Sequence, residues 1–376
     1  MLTARTAAAM LRVDLDALAD NYRTIGRQVA PALVAGVVKA NGYGLGASLV
    51  ARTLEREGCR HFFVAHLGEA VALKPDLSPG AALYILNGLL PGAEADCAAS
   101  GAIPVLNSID QIERWSAQAR REGRPLPGAL QVDSGMARLG LPPEEAEILA
   151  VRPDMLEGID LKLAMSHLAC SDEADAPVNA RQKEAFERLT APFTALPRSL
   201  DNSGGAFLPR GHYDLVRAGI ALYGGAPQGR PSPMQPVVTL EARILQLRTV
   251  PEGAGVGYGM SHHCSRPTRI ATIAVGYADG WPRHLSNRGS TYIGGVRAPI
   301  IGRVSMDSIT LDVTDVPDAL LYPGAPVELL GPNQGIDDVA ADAGTISYEI
   351  LTQLGHRYAR DYRGGAADAG QGSMSA

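Results

Sequence analysis

Short apolar runs rich in β-branched residues recur between positions 33 and 216, and stretches with helical patterning separate them. This alternation is typical of βα units that build a parallel sheet. The predicted strands are 33–38, 62–65, 82–86, 103–106, 129–132, 159–165, 199–200 and 215–216. Helices are predicted at 46–57, 109–122 and 179–190, which are rich in helix formers or follow start signals.

Eight βα units favour a closed (β/α)8 barrel, so the predicted fold class is α/β. The periodicity alone leaves an open, doubly wound parallel sheet as an alternative. A barrel would bring the polar residues that follow the strands to its C-terminal mouth, where the active sites of this fold lie. Those residues include Lys39, Asn107, Asp133, His167, Asn202 and Arg217.

The pattern changes after Pro236. Apolar runs at 238–247, 270–275, 298–301, 309–313 and 326–330 are separated by Gly, Pro, Asn and Asp, which is typical of a mainly β domain. We therefore predict a barrel domain over 1–236 and a mainly β domain over 237–363. The remaining segment, 364–376, is small, polar and glycine-rich, and is predicted to be disordered.

Composition and charge narrow the function classes. With 46% hydrophobic and 20% charged residues, the 376-residue chain can bury a sizeable core. Its net charge of −6 provides no basic field for nucleic acid. No segment resembles a membrane span, and the apolar stretch before Arg12 is too short for a signal peptide, so we expect a cytoplasmic protein without membrane association.

The cysteines and histidines give no metal signature. Four cysteines lack CxxC spacing or disulfide density, which suits a reducing compartment. His212, His262 and His263 have no matching carboxylate or cysteine pattern. We therefore predict no metal site and interpret these histidines as surface or packing residues.

Lys39 follows an apolar run and opens a glycine-rich turn, Gly36-Val-Val-Lys-Ala-Asn-Gly-Tyr-Gly-Leu-Gly46. Desolvation at a buried strand end lowers a lysine pKa below about 10.4, and a neutral amine can attack an aldehyde. Schiff-base chemistry with pyridoxal 5'-phosphate (PLP) is therefore one hypothesis. Taken alone, the residue favours the simpler interpretation of a lysine that extends to the surface.

Seven ordered motifs resemble those of the alanine racemases. The segment 36–46 resembles their PLP-lysine signature, and the likeness continues through 132–140, 214–224, 256–259, 275–283, 302–307 and 344–351. The resemblance implies a (β/α)8 barrel with a C-terminal β domain, assembled as a head-to-tail homodimer with shared active sites. It also implies the interconversion of L-alanine and D-alanine, either for cell-wall peptidoglycan or for alanine catabolism.

The resemblance implies two bases on opposite faces of the substrate. Lys39 would bind PLP covalently and act on one face, while Tyr258 of the other subunit would act on the opposite face. One base that returned the proton where it took it would regenerate the same enantiomer. His167 and Arg217 are the implied source of the positive charge that ionises a phenol with a pKa of about 10. Arg217 would also face the pyridine nitrogen and leave it neutral, because arginine cannot accept a proton.

The implied phosphate site agrees with where barrels commonly bind phosphate, after the seventh and eighth strands. It comprises Asn202, Ser203, Gly219 and Ile220, with hydroxyl groups from Tyr43 and Tyr348. Asn202 and Ser203 are also a common turn pair, so an ordinary turn is the alternative.

The substrate carboxylate is implied to meet Arg138 and the backbone N–H of Met306 from the partner subunit, with Tyr277 at the entrance. Tyr277 and Met306 could instead be ordinary core residues. Gln131 stands where many relatives have a carbamylated lysine that supports the arginine, so an amide hydrogen bond or a bound anion is expected to support Arg138. Ser305 replaces a frequent Cys and Leu45 a common His.

Three alternatives share part of the pattern. A PLP decarboxylase on a related barrel pairs the pyridine nitrogen with an acid, which Arg217 does not match. A broad-specificity amino-acid racemase shares more motifs, although such enzymes are commonly exported. A PLP-binding homeostasis protein resembles the barrel alone and would leave the β domain with Tyr258 unexplained.

Overall fold

The computed structural model describes residues 7–229 and 231–365, so most of the tail predicted to be disordered lies outside the described residues. The chain divides into two compact units. The barrel unit comprises Leu18–Leu222 and Ala226–Met234. The β unit comprises, within the described residues, 7–17, 223–225 and 235–365.

Strands and helices are numbered in chain order. The strands are β1 Ala9–Asp14, β2 Leu33–Val37, β3 His61–Val64, β4 Ala82–Ile85, β5 Ile103–Leu106, β6 Leu126–Gln131, β7 Ile159–Met165, β8 Arg198–Ser199, β9 Leu215–Ala218, β10 Val238–Val250, β11 Gly255–Val256, β12 His262–His263, β13 Thr268–Ile273, β14 Ser290–Ile293, β15 Val296–Pro299, β16 Ile309–Asp312, β17 Pro326–Leu330 and β18 Ala359–Arg363. The helices are α1 Leu15–Val29, α2 Lys39–Tyr43, α3 Ala47–Arg56, α4 Leu67–Leu73, α5 Glu94–Ser100, α6 Ile109–Glu122, α7 Pro143–Val151, α8 Pro177–Thr190, α9 Ile336–Ala343 and α10 Ser347–Thr352. No helix of the described ranges is both long and apolar enough to cross a membrane.

Eight parallel strands form the sheet of the barrel unit, in the order β8-β7-β6-β5-β4-β3-β2-β9. Main-chain hydrogen bonds bridge the two ends of this order: the Asp214 N–H donates to the Arg198 carbonyl (3.0 Å), and the Arg217 N–H donates to the Asp201 carbonyl (2.9 Å). The sheet is therefore a nearly closed barrel. This confirms the predicted (β/α)8 fold, and the alternative of an open, doubly wound sheet is wrong.

Helix α6 illustrates how local sequence signals set the boundaries. The Ser108 Oγ accepts the Gln111 N–H (3.3 Å) at its start, and Gly123 ends it with a φ of 65°, a conformation that glycine adopts without strain. Trp115 is fully buried, and its Nε1–H donates to the Pro127 carbonyl at the start of β6 (3.1 Å). The helix thus packs on the barrel with its indole hydrogen bond satisfied.

The β unit contains a second large sheet, in the order β15-β14-β17-β10-β1-β18, with β13 joining β10 to β16. The five strands predicted after Pro236 are all present, which confirms a mainly β domain there. Strand β1 was not predicted. It pairs antiparallel with β10 and parallel with β18, so the range predicted for the barrel domain, 1–236, includes a strand of the other sheet.

Candidate active site

Lys39 opens a left-handed helical turn at the end of β2. The next three residues, Ala40, Asn41 and Gly42, have φ/ψ of 52/46°, 54/48° and 64/47°. This region costs L-residues other than glycine roughly 1–2 kcal/mol each. The turn is closed by its own hydrogen bonds, from the Gly42 N–H to the Val38 carbonyl (2.8 Å) and from the Gly44 N–H to the Ala40 carbonyl (2.7 Å). Such backbone strain is concentrated at functional sites in proteins.

The Lys39 amine is half-buried in a positively charged environment. Burial lowers its pKa, the charges of Arg138 and Arg217 lower it further, and the Glu69 carboxylate opposes them. A lowered pKa makes the neutral, nucleophilic form of the amine easier to reach.

Arg217, in β9, lies fully inside the barrel unit and uses its terminal nitrogens for protein contacts. Its Nη1 donates to the Ser199 carbonyl (3.0 Å) and Oγ (2.6 Å), and its Nη2 donates to the Ser166 carbonyl (2.5 Å). Burial lowers the pKa of Arg217 to about 10, so the guanidinium remains charged at neutral pH. Its Nε–H has no acceptor among the described residues, which leaves one donor of a buried cation for a ligand.

His167, after β7, lies between the side chains of Arg217 and Asn202. Its Nδ1 is 3.2 Å from the Arg217 Nη2, and its Nε2 is 3.3 Å from the Asn202 Nδ2. Because arginine only donates, the Nδ1 is the acceptor of the first contact. Burial, and then the charges of Arg217, Arg138 and Lys39, place the His167 pKa well below its ordinary value, so the imidazole is neutral. The expectation that His167 supplies positive charge is therefore wrong.

Ser203 and the segment after β9 form a small cradle of polar groups. The Ser203 Oγ accepts the N–H groups of Gly219 (2.8 Å) and Ala221 (3.3 Å). A Cβ at Gly219 would stand 2.4 Å from the Tyr43 hydroxyl oxygen, so the hydroxyl would have to move if a larger residue stood there. The buried Ile220 N–H has no acceptor in the described part of the chain. These groups could bind a phosphate at the predicted place.

Asn202 joins a local turn to more distant residues of the barrel unit. Its Oδ1 accepts the Gly205 N–H (3.0 Å) and the Ser171 hydroxyl (2.6 Å), while its Nδ2 faces His167. The residue thus connects the cradle to the histidine that contacts Arg217.

Arg138 lies on the loop after β6. Asp133 organises that loop, since its Oδ1 accepts the N–H groups of Gly135 (2.9 Å), Met136 (2.9 Å) and Ala137 (3.2 Å). The Arg138 side chain is exposed and has no hydrogen-bond partner among residues 7–229 and 231–365. Gln131 is buried at the end of β6, and the expected amide hydrogen bond between the two is not present. The guanidinium is therefore available to a carboxylate from outside the chain.

The four predicted site residues of the β unit are all exposed: Tyr258 by 71%, Met306 by 52%, Tyr277 by 42% and Tyr348 by 41%. The alternative that Tyr277 and Met306 fill the core is therefore wrong. Tyr258 stands on a short 3-10 turn between β11 and β12.

The loops carrying Tyr277 and Met306 are joined to each other. The Tyr277 N–H donates to the Ser305 carbonyl (3.0 Å), and the Ala278 N–H donates to the Met306 carbonyl (3.0 Å). Arg357 also connects the two loops: its Nε lies 2.6 Å from the Asp279 Oδ1, and its Nη1 lies 2.6 Å from the Asp307 Oδ1.

The barrel unit thus brings together nine of the thirteen predicted site residues, and the β unit presents the other four. Sequence reasoning missed Glu69, an acid near Lys39 that opposes the two arginines. It also missed Ser166 and Ser199, whose oxygens accept from Arg217. No local signal marks these residues, because their contacts are made between segments that are distant in the sequence. His212 is a packing residue: its Nδ1 lies 2.8 Å from the buried Asp201 carboxylate.

The donor set of the barrel unit fits PLP. An amine with a lowered pKa suits the aldehyde, and the cradle of Ser203, Tyr43 and the Gly219–Ile220 backbone suits the phosphate. The remaining Nε–H of Arg217 suits the pyridine nitrogen as a hydrogen-bond acceptor.

Comparisons with known proteins matched both units. The family described as "Alanine racemase, N-terminal domain" matches residues 13–227, and "Alanine racemase, C-terminal domain" matches residues 237–362. The catabolic alanine racemase of Agrobacterium fabrum is 53% identical over 358 residues, which cover 95% of this chain and 92% of that protein. The alanine racemase of Brucella abortus is 53% identical over 371 residues, with 95% and 94% coverage.

Solved structures resemble the chain over the same extent. The alanine racemase of Bartonella henselae, with covalently bound pyridoxal phosphate, superposes with a TM-score of 0.92 at 44% identity and covers 95% of this chain and 100% of its own. The biosynthetic alanine racemase of Pseudomonas aeruginosa has a TM-score of 0.87 at 35% identity, with the same coverage.

Proposed function

The chain belongs to the alanine racemase family, and on that premise we propose that Lys39 and Tyr258 are the two bases of its reaction. The activity is the PLP-dependent interconversion of L-alanine and D-alanine. The observation that carries the assignment of the first base is a lysine with a lowered pKa beside Arg217 at the barrel mouth. Both domains of the family are present, which distinguishes the chain from a PLP-binding protein that consists of the barrel alone.

PLP, when bound, supplies the electron sink that acidifies the Cα–H of the amino acid. The neutral Lys39 amine takes or returns the Cα proton on one face of the substrate. Arg217 would donate its Nε–H to the pyridine nitrogen and, as a permanent donor, would leave that nitrogen unprotonated. Ser203, Tyr43 and the backbone at Gly219 and Ile220 would bind the phosphate.

Tyr258 acts on the opposite face and comes from a second copy of the chain. The exposure of all four β-unit site residues supports this proposal, because exposed aromatic and methionine side chains mark interaction surfaces more often than random surface. The protein is then a homodimer with shared sites. In each site, the β unit of one protomer contributes Tyr258, Tyr277 and Met306, together with Tyr348 as a phosphate ligand.

Arg138 binds the substrate carboxylate through its free guanidinium, with the Met306 N–H as a second donor. Tyr277 stands at the entrance and limits the substrate side chain to a small size. We further propose a cytoplasmic location, which the four free thiols support. The D-alanine formed would serve peptidoglycan, or the reaction would serve alanine catabolism.

Two measurements test the proposal. The PLP-loaded protein in D2O is expected to exchange the Cα hydrogen of either alanine enantiomer for deuterium while racemising it. Absence of exchange would contradict the racemase activity itself.

The shared site is tested by mixing two inactive proteins, Lys39→Ala and Tyr258→Phe, under conditions that exchange subunits. A mixed dimer contains one site with both bases, so recovery of up to about a quarter of wild-type activity is expected: half of the dimers are mixed, and each has one intact site of two. No recovery, despite subunit exchange demonstrated by mass-tagged chains, would contradict the shared site and leave the racemase activity standing.

A further inference from the structure

The Glu69 carboxylate, on helix α4, is hydrogen-bonded to the backbone at the ends of two neighbouring barrel strands. Its Oε1 accepts the N–H of Ala40, the residue after Lys39 (2.6 Å). Its Oε2 accepts the N–H groups of Ala65 (2.7 Å) and His66 (3.1 Å), which follow β3. One side chain thus connects the left-handed turn after Lys39 to the next βα connection.

Packing contributes little to this connection. A cavity of about 540 Å³ lies between the turn and helix α4, and Ala40, Asn41, Gly68 and Glu69 are among the residues that line it. Ala40 and Asn41 are exposed, so these two strained residues are little covered by other side chains, whereas Tyr43, which also has a positive φ, is buried. Hydrogen bonds from outside the turn therefore help to hold its exposed part. One is the Glu69 contact, and another is the Asn41 Oδ1, which accepts the Ala47 N–H (2.9 Å).

We propose that Glu69 is a positioning residue for Lys39: by accepting the Ala40 N–H, it fixes the direction of the lysine side chain at the barrel mouth. The inference rests on the proposed function of Lys39 as a base. A base must be placed accurately relative to the proton it moves, and a misplacement of about 1 Å can cost roughly 100-fold in rate.

A carboxylate is required because all three contacts are with donors. Both of its oxygens only accept, whereas an amide has one accepting oxygen and one donating NH2 group. In a Glu69→Gln variant, the oxygen can serve either Ala40 or the pair of Ala65 and His66. If the oxygen accepts from Ala65 and His66, the NH2 group faces the Ala40 N–H. Two donors then meet, and the connection to the turn is lost.

Glu145→Gln provides the matched control. Glu145 is also a half-buried glutamate in the first turn of a barrel helix, and its Oε2 accepts the N–H of Ile109 at the start of α6 (2.8 Å). The chemical change is the same, but a single contact needs only one accepting oxygen, so Glu145→Gln keeps its hydrogen bond and controls for the loss of charge.

The experiment compares wild type, Glu69→Gln and Glu145→Gln in three measurements. For Glu69→Gln we expect kcat for alanine to fall about 10-fold with KM changed less than about threefold, because the base rather than the substrate site is displaced. The rate at which apo-protein takes up PLP, followed by the absorbance of the lysine-linked cofactor, should fall several-fold. Amide exchange in a peptide covering 38–46 should accelerate at least about 10-fold. Glu145→Gln should leave all three unchanged.

A second variant distinguishes the position of the Glu69 carboxylate from its charge. It also keeps the proposal testable if Glu69→Gln folds poorly. Glu69→Asp keeps the charge, but it is one methylene shorter and cannot reach both Ala40 and the β3 end. It should show the same loss of kcat and the same faster exchange.

The proposal is overturned if the peptide 38–46 exchanges faster in either variant while kcat and PLP uptake stay within twofold of wild type. It is also overturned if exchange does not change. A wild-type protein that takes up PLP but does not racemise alanine would instead contradict the proposed function, and the exchange and uptake measurements would still report on Glu69.

Discussion

The side chains in the two halves of the candidate site differ in how much the rest of the chain holds them in place. In the barrel unit, Arg217, Ser203 and His167 contact one another or their neighbours through short hydrogen bonds. In the β unit, the side chains of Tyr258 and Met306 are exposed, while backbone hydrogen bonds and the ion pairs of Arg357 hold the loops that carry Tyr277 and Met306. The barrel half is thus organised within one chain, whereas the β half presents side chains that need another surface to become buried.

This difference separates two kinds of mutational effect. A buried, hydrogen-bonded residue contributes to folding as well as to chemistry, so its removal should change both. An exposed residue contributes little to stability, so its removal should change chemistry alone. The predictions below test that separation, beginning with the largest expected effect.

Tyr258→Phe should strongly lower the racemisation rate and leave the stability of the protein unchanged. Loss of a general acid–base group typically costs about 100-fold to 10,000-fold in rate. The side chain is 71% exposed, so we expect Tm to stay within about 1 °C of wild type. Steady-state kinetics in both directions and thermal unfolding of the apo-protein are the measurements. A small kinetic effect, or a large drop in Tm, would contradict the contrast between the halves.

Arg217→Met should destabilise the apo-protein strongly. The substitution leaves the oxygens of Ser199 and Ser166 without their donor in the barrel interior, which costs about 3–5 kcal/mol in the free energy of unfolding. The matched control is Arg138→Met, whose exposed guanidinium has no partner among the described residues, and it should change stability by less than about 0.5 kcal/mol. Urea unfolding of both apo-proteins measures the difference, and equal effects would contradict the prediction.

His167 should make the barrel unit sensitive to acid. Its folded-state pKa lies well below 6.5, so below about pH 6.5 the unfolded chain binds a proton that the folded chain does not. Its contribution to stability is therefore complete above that pH and is lost as the pH falls toward the folded pKa, by at most about 1.4 kcal/mol per pH unit.

Replacing the histidine isolates that contribution. Between pH 7.5 and 5.5, wild-type apo-protein should lose about 1 kcal/mol more than His167→Gln, measured by urea unfolding at each pH. Identical pH dependence in the two proteins would show that the imidazole titrates normally in the folded state.

Ser203→Ala should give the smallest effect, about 1 kcal/mol, because two backbone N–H groups lose their acceptor in a buried site. Affinity for PLP should fall about 10-fold, which titration of the apo-protein would detect. Ser290→Ala is the control in the β unit, since the Ser290 hydroxyl is buried and has no partner among the described residues. That variant should be neutral or slightly more stable, and a similar loss in both would argue against the role of the Ser203 contacts.

Much of the fold could be predicted because it follows from local pattern. The eight barrel strands appear as apolar runs, and the rule that strand ends gather at the barrel mouth placed Lys39, His167 and Arg217 near one another. Each strand was located within about three residues, as with β6, which begins at Leu126 rather than 129.

The features that could not be predicted depend on contacts between distant segments. The glycines after Lys39 indicated a turn, but nothing in the sequence shows that Ala40 and Asn41 adopt a left-handed conformation. Glu69 reads as an ordinary residue in the first turn of a helix, and its bond to Ala40 spans 29 positions. Strand β1 is six residues long, which is too short to reveal which sheet it joins.

Because β1 belongs to the β unit, it is synthesised long before the strands with which it pairs. Leu11 pairs with Leu240 on one side and with Arg360 on the other, so its neighbours are made about 230 and 350 residues later. At roughly 5–20 residues per second, the first strand leaves the ribosome tens of seconds before the sheet that receives it can close. The nascent chain must carry this apolar strand unpaired throughout that interval. A fragment that begins at residue 237 lacks a central strand of its own sheet and should expose the edges of β10 and β18 to intermolecular pairing.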